Sequence, residues 1–132
     1  MVIVVAVDDA TDSDLVTEGR TLADVFDEEL HVVHVRDREE VEEASGGTET
    51  VLEGAESDAA DVAAEMTDEF VPVGRIGNPA QELVSYTNSI DARYLVVGGR
   101  KQTPIGKALF GSVTQSVLLS TEIPVVTVPA VE

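Results

Sequence analysis

Short apolar runs alternate along the chain with segments in which apolar residues recur every three or four positions. Residues 2–7 form a continuous apolar run, which is typical of a parallel strand buried on both faces. Four later runs predict further strands, at residues 30–35, 70–73, 94–97 and 125–128. Strands that alternate with helices indicate an α/β fold with a parallel sheet, right-handed crossovers and helices on both faces.

The intervening segments predict four helices. Thr11 with Asp14 forms a capping signal before the first helix, and Asn78 with Pro79 marks the start of the third. The second follows an apolar stripe from Val51 to Met66, and a Ser112-x-x-Gln115 capping box opens the last. Residues 36–48 mix charge with Ser and Gly, so we expect a mobile surface connection there.

The predicted sheet places two polar positions at one crevice. Pro72 cannot donate to a strand ladder, which assigns its strand to an edge of the sheet. If the first strand is central and the fourth lies beside it, Asp8 and Gly98 flank the same gap. Ligands of such sheets bind beyond the carboxyl ends of the strands, where the winding reverses. We therefore expect a binding site between Asp8 and Gly98.

One loop differs in charge from the rest of the chain. The formal net charge is −18, from 26 acidic and 8 basic residues, yet residues 92–121 contain no Asp or Glu. Arg93, Arg100, Lys101 and Lys107 all fall in this window. A glycine-rich cationic loop that leads into a helix N-terminus is suited to hold an anion. The loop at residues 98–112 is therefore a candidate phosphate site.

Composition limits the class of protein. A hydrophobic fraction of 43% in 132 residues is ordinary for a globular chain, so we expect one domain spanning residues 1–132. The acidic excess resembles that of proteins from salt-accumulating microbes, because salt relieves the self-repulsion of such a surface. It disfavours nucleic-acid binding, although an acidic surface for a basic partner stays an alternative. With no apolar run of about 18 residues and no basic leader, we expect a cytoplasmic protein without a membrane contact.

Two further features carry interpretations of their own. Residues 125–128 carry no charge, and an unprotected edge strand invites pairing, so we predict a homodimer through this edge. His31 and His34 lie on one predicted strand near several acids. Because no tight ligand spacing is present, we interpret them as ordinary strand histidines rather than metal ligands.

At this point the residues resemble a known family. The apolar first strand that ends in Asp8, the His34-Val35 pair, Gly77-Asn78-Pro79 and the loop ending in Gly111-Ser112 resemble the universal stress protein family over nearly the whole chain. The resemblance implies a three-layer, Rossmann-like sandwich related to the adenine nucleotide alpha hydrolases. Its five-stranded parallel sheet would have the strand order 3-2-1-4-5.

Nucleotide-binding members of that family carry a loop of the form G-x2-G-x9-G-[S/T]. Here Gly98, Lys101, Gly111 and Ser112 keep every spacing, but Lys stands where the second glycine is expected. If the backbone needs a positive φ there, Lys costs roughly 1 to 2 kcal/mol of strain. Its ammonium could in turn reach a phosphate.

The resemblance also implies roles for individual residues. Asp8 and Ala6 would lie beside the base and ribose, Val35 would meet the adenine through its main chain, and Gly98 would let the ribose approach closely. The phosphates would meet the loop around Lys101 and the start of the last helix. The implied nucleotide-binding set is Ala6, Asp8, Val35, Gly98, Gly99, Arg100, Lys101, Gly111, Ser112, Val113 and Thr114. ATP, with Mg or Mn, is the implied cofactor.

Three functions are consistent with the residues. The first is a regulatory or stress-response module that binds an adenine nucleotide. The second is a nucleotide-independent dimeric interaction module of the same fold, which the substitution at Lys101 favours. An enzyme is the weakest, because no G-x4-G-K-[S/T] loop and no placed acid or imidazole appears in the cationic loop. Slow ATP hydrolysis is not excluded by this reasoning.

Overall fold

The structure is a computed structural model that describes residues 1–8, 10–43, 47–99 and 111–129. Strands and helices alternate through most of its length. The strands are β1 (Val2–Ala6), β2 (Glu29–Arg36), β3 (Val71–Ile76), β4 (Ala92–Gly98) and β5 (Val125–Val128). The helices are α1 (Ser13–Phe26), α2 (Arg38–Glu43), α3 (Gly47–Ala64), α4 (Pro79–Ser89) and α5 (Ser112–Ser120). A short 3-10 turn (Ala10–Asp12) precedes α1.

The five strands form one parallel sheet in the order β3-β2-β1-β4-β5. Val4 pairs with His31 of β2 on one side and with Leu95 of β4 on the other, so β1 is central. Pro72 lies in the edge strand β3, opposite Val32. The predicted strand order and the edge position of the proline strand are confirmed.

Helices cover both faces of the sheet, as predicted. Alternate residues of β1 separate two apolar clusters, because successive strand side chains point to opposite faces. Ile3 and Val5 pack with α1 and α3 on one face, whereas Val4 packs with α4 and α5 on the other. Ile3, Val4 and Val5 are fully buried, which explains the unbroken apolar run in the sequence.

The segment that follows β2 departs from the prediction. Residues 38–43 form the short helix α2, and α3 already begins at Gly47, four residues before the apolar stripe. The expectation of a mobile connection over residues 36–48 is therefore wrong for the described part of that segment. The run of Arg and Glu consists of good helix formers, and Arg36 and Glu40 approach to 3.7 Å. A solvent-exposed helix of this kind needs no apolar stripe.

The helix starts were predicted with mixed success. The Asn78 side chain accepts a hydrogen bond from the Gln81 amide at 3.1 Å, so the predicted cap of α4 is confirmed. Helix α1 instead begins after Asp12, without a side-chain cap. Helix α5 has Gly111 at its cap position and Ser112 as its first residue, again without a side-chain cap. Both helices thus begin where a helix start was predicted, but each cap residue is one position away from the predicted one: Asp12 instead of Thr11, and Gly111 instead of Ser112.

Four described residues have a positive φ, and three of them, Asp27, Gly77 and Asp91, lie at turns between helices and strands. Asp27, which ends α1, has φ 53°, and Asp91, which precedes β4, has φ 55°. Gly77 has φ 145°, a conformation that L side chains rarely adopt. Its amide donates to the Arg36 carbonyl at 2.9 Å, which links the end of β3 to β2 just before α4 begins.

His31 occupies a largely buried position between the sheet and α4. Its Nδ1 lies 2.6 Å from the Tyr86 hydroxyl, and its Nε2 has no hydrogen-bond partner among the described groups. Burial lowers the pKa of His31, and the nearby Glu29 carboxylate opposes that change. Burial also raises the pKa of Tyr86, against the attraction of the Arg75 guanidinium. The histidine is therefore built to be neutral in the folded protein.

This placement predicts a pH dependence of stability. Because the pKa of His31 is lower in the folded state, the unfolded chain binds the proton more readily. The free energy of unfolding should therefore fall as pH drops below about 6.5 towards the folded pKa. The free energy of unfolding is measured with urea at pH 8 and at pH 5.5. Between these two pH values the wild type should lose up to about 1 kcal/mol more of it than His31→Gln does. Equal losses in the two proteins would contradict this account.

Across the described residues, every helix is too short or too polar to cross a membrane.

Candidate functional site

A cavity of about 470 Å³ opens at the carboxyl end of the sheet, where β1 and β4 lie side by side. Its volume lies in the range of about 300 to 1,000 Å³ that is usual for small-molecule sites. The chain leaves β1 for α1 and leaves β4 towards α5, and these helices lie on opposite faces of the sheet. The cavity therefore occupies the point of winding reversal at which parallel sheets bind ligands.

The wall at β4 is shaped by Gly98. A Cβ atom added at Gly98 would lie 3.4 Å from Leu15 Cδ1 and 4.0 Å from Asp12 Oδ1. Both neighbours also line the cavity. The absence of a side chain at Gly98 thus keeps space open between β4 and α1.

The start of α5 is fixed against the same strand. The Thr114 hydroxyl, which is buried, donates to the Gly98 carbonyl at 2.9 Å. The Gly99 amide donates to the Val128 carbonyl at 2.8 Å, which extends the pairing of β4 with β5. The cap residue of α5 is Gly111, which has no side chain that could accept hydrogen bonds from the first amides of the helix. A helix start of this kind presents free N–H groups and a partial positive charge, which favour an anion.

The wall at β1 is fixed by Asp12. Its Oδ2 accepts a hydrogen bond from the Asp8 amide at 2.6 Å, so the turn after β1 is closed by a side chain of the following turn. Asp8 itself is exposed at the mouth of the cavity. The carboxylates of Asp8 and Asp12 and the first residues of α5 thus line the same cavity, which offers both hydrogen-bond acceptors and donors.

The end of β1 is held by a buried histidine. His34 Nδ1 lies 2.9 Å from the Val7 carbonyl, so that nitrogen carries the proton and donates. His34 Nε2 lies 3.7 Å from Asp58 Oδ2 of α3, and the Arg36 guanidinium bonds the same carboxylate. The histidine therefore connects the lip of the cavity to α3. This role agrees with its interpretation as a strand histidine, and no cluster of metal-ligating residues occurs in the described chain.

The structure brings most of the predicted residues together. The ones that line the cavity are Ala6, Asp8, Val35, Gly98, Gly99, Gly111, Ser112, Val113 and Thr114. Arg100 and Lys101 fall outside the described residues. Their predicted contact with phosphates, and that of Lys107, stays a prediction.

Seven lining residues were missed from the sequence. They are Val7, Asp12, Leu15, Val33, Pro79, Leu83 and Val97. Pro79 carried a usable signal, because a helix that starts after a parallel strand begins at the carboxyl edge of the sheet. The spacing of Leu15 and Leu83 predicts that they are buried, but it does not indicate whether a buried side chain packs in the core or lines a cavity.

Known proteins resemble the chain in both sequence and structure. A universal stress protein of Mycolicibacterium smegmatis is 41% identical over 73 residues, which covers 52% of this chain and 55% of that protein. The chain thus aligns with about half the length of this curated relative. In structure, a universal stress protein of Archaeoglobus fulgidus in complex with dAMP matches with TM-score 0.63 and 21% identity, over 96% of each chain.

A universal stress protein solved in complex with cAMP matches with TM-score 0.71 and 19% identity, over 99% of this chain and 98% of that one. At these identities the structural matches establish the fold. The model of the universal stress protein family matches residues 1–129. The chain therefore belongs to the universal stress protein family.

Proposed function

We propose that this protein binds an adenine nucleotide, ATP, in the crevice between β1 and residues 98–112, and that binding serves a regulatory or stress-response role. The observation that carries the proposal is the single cavity shared by Asp8 at the end of β1, Gly98 at the end of β4 and the start of α5 after Gly111. These three parts offer acceptors, close backbone approach and amide donors.

Each part suits one portion of a nucleotide. The carboxylates of Asp8 and Asp12 can accept hydrogen bonds from ribose hydroxyls. Val33, Val35 and Leu83 give an apolar surface for a planar base, and Val35 would meet adenine through its backbone. Ser112 and the amides of Val113 and Thr114 would donate hydrogen bonds to phosphate oxygens.

The structural relatives support an adenine ligand. The two solved relatives described above were captured with cAMP and dAMP, both adenine mononucleotides. A triphosphate would add negative charge, and the segment 98–112 contains the cations Arg100, Lys101 and Lys107 that could offset it.

A divalent cation, Mg or Mn, would accompany the triphosphate. Mg²⁺ in nucleotide sites is held through substrate phosphates with one or two carboxylates, and Asp8 and Asp12 are the carboxylates that line this cavity. The residues present therefore fit a metal carried in with ATP, and the metal would offset phosphate charge near these acids.

The proposal is tested by what co-purifies. The protein is prepared in high potassium chloride, the bound small molecules are extracted with acid, and adenine nucleotides are sought by chromatography and mass spectrometry. Calorimetric titration with ATP and Mg²⁺ should then give saturable heat. If no nucleotide co-purifies and no heat is measured, the nucleotide-independent interaction module becomes the better description.

That second candidate is favoured by one observation, the lysine at the second glycine position of the loop. It leads to a prediction for Lys101→Gly. The variant restores the family spacing G-x2-G-x9-G-[S/T], so ATP affinity should stay equal or rise, measured by calorimetry beside the wild type. A loss of about tenfold or more would mean that the Lys101 ammonium itself holds phosphate.

We further propose a homodimer through β5. Val125, Val126, Thr127 and Val128 are uncharged and half-buried, and among the described strands β5 pairs only with β4. An open edge of this kind can extend the sheet into a second copy. Light scattering coupled to size exclusion in molar salt should give twice the monomer mass. A single narrow peak at monomer mass would remove the dimer.

The domain organisation, the location and the salt adaptation of the protein are also proposals. We infer one domain over residues 1–132, a cytoplasmic location and adaptation to high salt, in which a formal charge of −18 is screened. We assign binding rather than catalysis as the function, and nucleic acid and membranes are not among the proposed partners. Unfolding by urea in 0.2 M and 2 M potassium chloride reports on the salt requirement.

A further inference from the structure

A second cavity lies away from the nucleotide crevice, where α2 and α3 meet the carboxyl end of β3. Its volume is about 650 Å³, and it shares no lining residue with the first cavity. Arg38 of α2 and Arg75 of β3 line it together with Glu82 of α4. Val41, Leu52 and Ile76 add an apolar wall.

Arg75 is held in place on two sides. Its Nε donates to Glu82 Oε1 at 3.1 Å, and its guanidinium carbon lies 5.6 Å from the centre of the Tyr86 ring. The side chain is about one third exposed. A guanidinium positioned in this way loses little conformational entropy when it binds an anion, because its fork is already oriented.

Arg38 differs from the other arginines described. Arg20, Arg36, Arg75 and Arg93 each form an ion pair, and Arg38 forms none with the described side chains. Arg38 is exposed and lines the second cavity. A cation that lines a cavity and forms no ion pair with a described side chain can bind an anion from solution.

The side chains that line this cavity are more positively charged than the protein as a whole. It has two arginines and one glutamate in a protein of formal charge −18. By contrast, a depression at the opposite end of the sheet combines Arg20 with the acids Asp24, Asp27, Glu28, Glu29 and Glu69. The nucleotide crevice has Asp8 and Asp12 and no cation among its described lining residues. Among these three cavities, the second is the one whose lining side chains carry a net positive charge.

We propose that the cavity at Arg38 and Arg75 binds a small organic anion, a carboxylate or phosphate group on a compact apolar body. The anionic group would lie between the two guanidiniums, which bind carboxylate and phosphate in bidentate fashion. The apolar body would cover Val41, Leu52 and Ile76. The site is independent of the nucleotide crevice.

Benzoate and phenyl phosphate are suitable probes, with uncharged benzyl alcohol as the control ligand. Each is titrated into ¹⁵N-labelled full-length protein at the lowest potassium chloride concentration that preserves the far-UV circular dichroism spectrum. The anions should shift the amide signals of Thr48, Leu52 and Ile76 saturably, and the signals of Gly98 and Thr114 should not follow the same curve. The anion that binds tighter identifies the preferred head group. Benzyl alcohol should bind at least tenfold more weakly.

Arg38→Gln should weaken binding of the preferred anion at least tenfold. Arg20→Gln is the matched control, since it removes the same charge at the other end of the sheet and should change the affinity less than twofold. The proposal is overturned if neither anion gives a saturable shift, or if the shifts centre on Gly98 and Thr114. It is also overturned if benzyl alcohol binds as tightly, or if the two variants lose affinity equally.

Discussion

Replacing Gly98 with valine is expected to weaken ATP binding at least about a hundredfold, which corresponds to about 2.8 kcal/mol. The Cβ of any side chain at this position already lies in contact with Leu15, and the two methyl groups of valine extend into the space proposed for the ribose. Gly98 does not have a positive φ, so a β-branched residue suits the strand. Calorimetry at constant potassium chloride measures the loss.

Gly98→Ala provides the matched control. Its single added carbon would sit 3.4 Å from Leu15 Cδ1, an ordinary van der Waals contact, so the affinity should fall less than about tenfold. Thermal unfolding of both variants should stay close to that of the wild type, which separates a lost site from a lost fold. Normal ATP binding by the valine variant would show that the ligand has been placed wrongly.

Gly74→Ala should give the largest loss of stability, about 2 to 3 kcal/mol in the free energy of unfolding. A Cβ at Gly74 would lie 2.5 Å from both the Glu56 amide nitrogen and the Leu52 carbonyl oxygen. These are backbone atoms of α3, so the whole helix must move away from β3. Urea unfolding in fixed salt measures the change.

Gly54→Ala tests whether backbone contact is the cause. A Cβ at Gly54 would meet the Arg36 guanidinium at 2.8 Å, which is the far end of a flexible side chain. The cost of moving that side chain is offset by the gain in helix propensity of about 1 kcal/mol, so the net change should stay within about 1 kcal/mol. A loss at Gly54 equal to that at Gly74 would argue against the backbone explanation.

The sheet was predictable because its determinants are local and strong. Buried parallel strands require continuous apolar runs, and Pro72 limits its strand to an edge. Helix starts were less predictable, since several short polar residues near each start could serve as the cap. At α1 the choice fell on Asp12, whose carboxylate instead bonds the Asp8 amide. That contact depends on how α1 returns towards β1.

The residues of the candidate site likewise fall into two groups, those that the sequence predicts and those that depend on how the helices pack. Asp8, Gly98 and Ser112 were found because they stand at the ends of strands and at a helix start, which a parallel sheet brings to one edge. Asp12 and Leu83 line the cavity because of how α1 and α4 are seated, which the spacing of apolar residues leaves open. The short helix α2 was missed for another reason: without an apolar stripe, its Arg and Glu residues indicated a solvated loop.

Under the salt adaptation proposed above, the two aspartates with left-handed backbone, Asp27 and Asp91, offer a route to a version of the protein that needs less salt. Asparagine adopts this conformation readily and carries no charge. Changing both would remove two of the 26 acidic residues, at positions remote from the nucleotide crevice. Residues that end a helix and turn the chain would then contribute to the proposed salt requirement as well as to the fold.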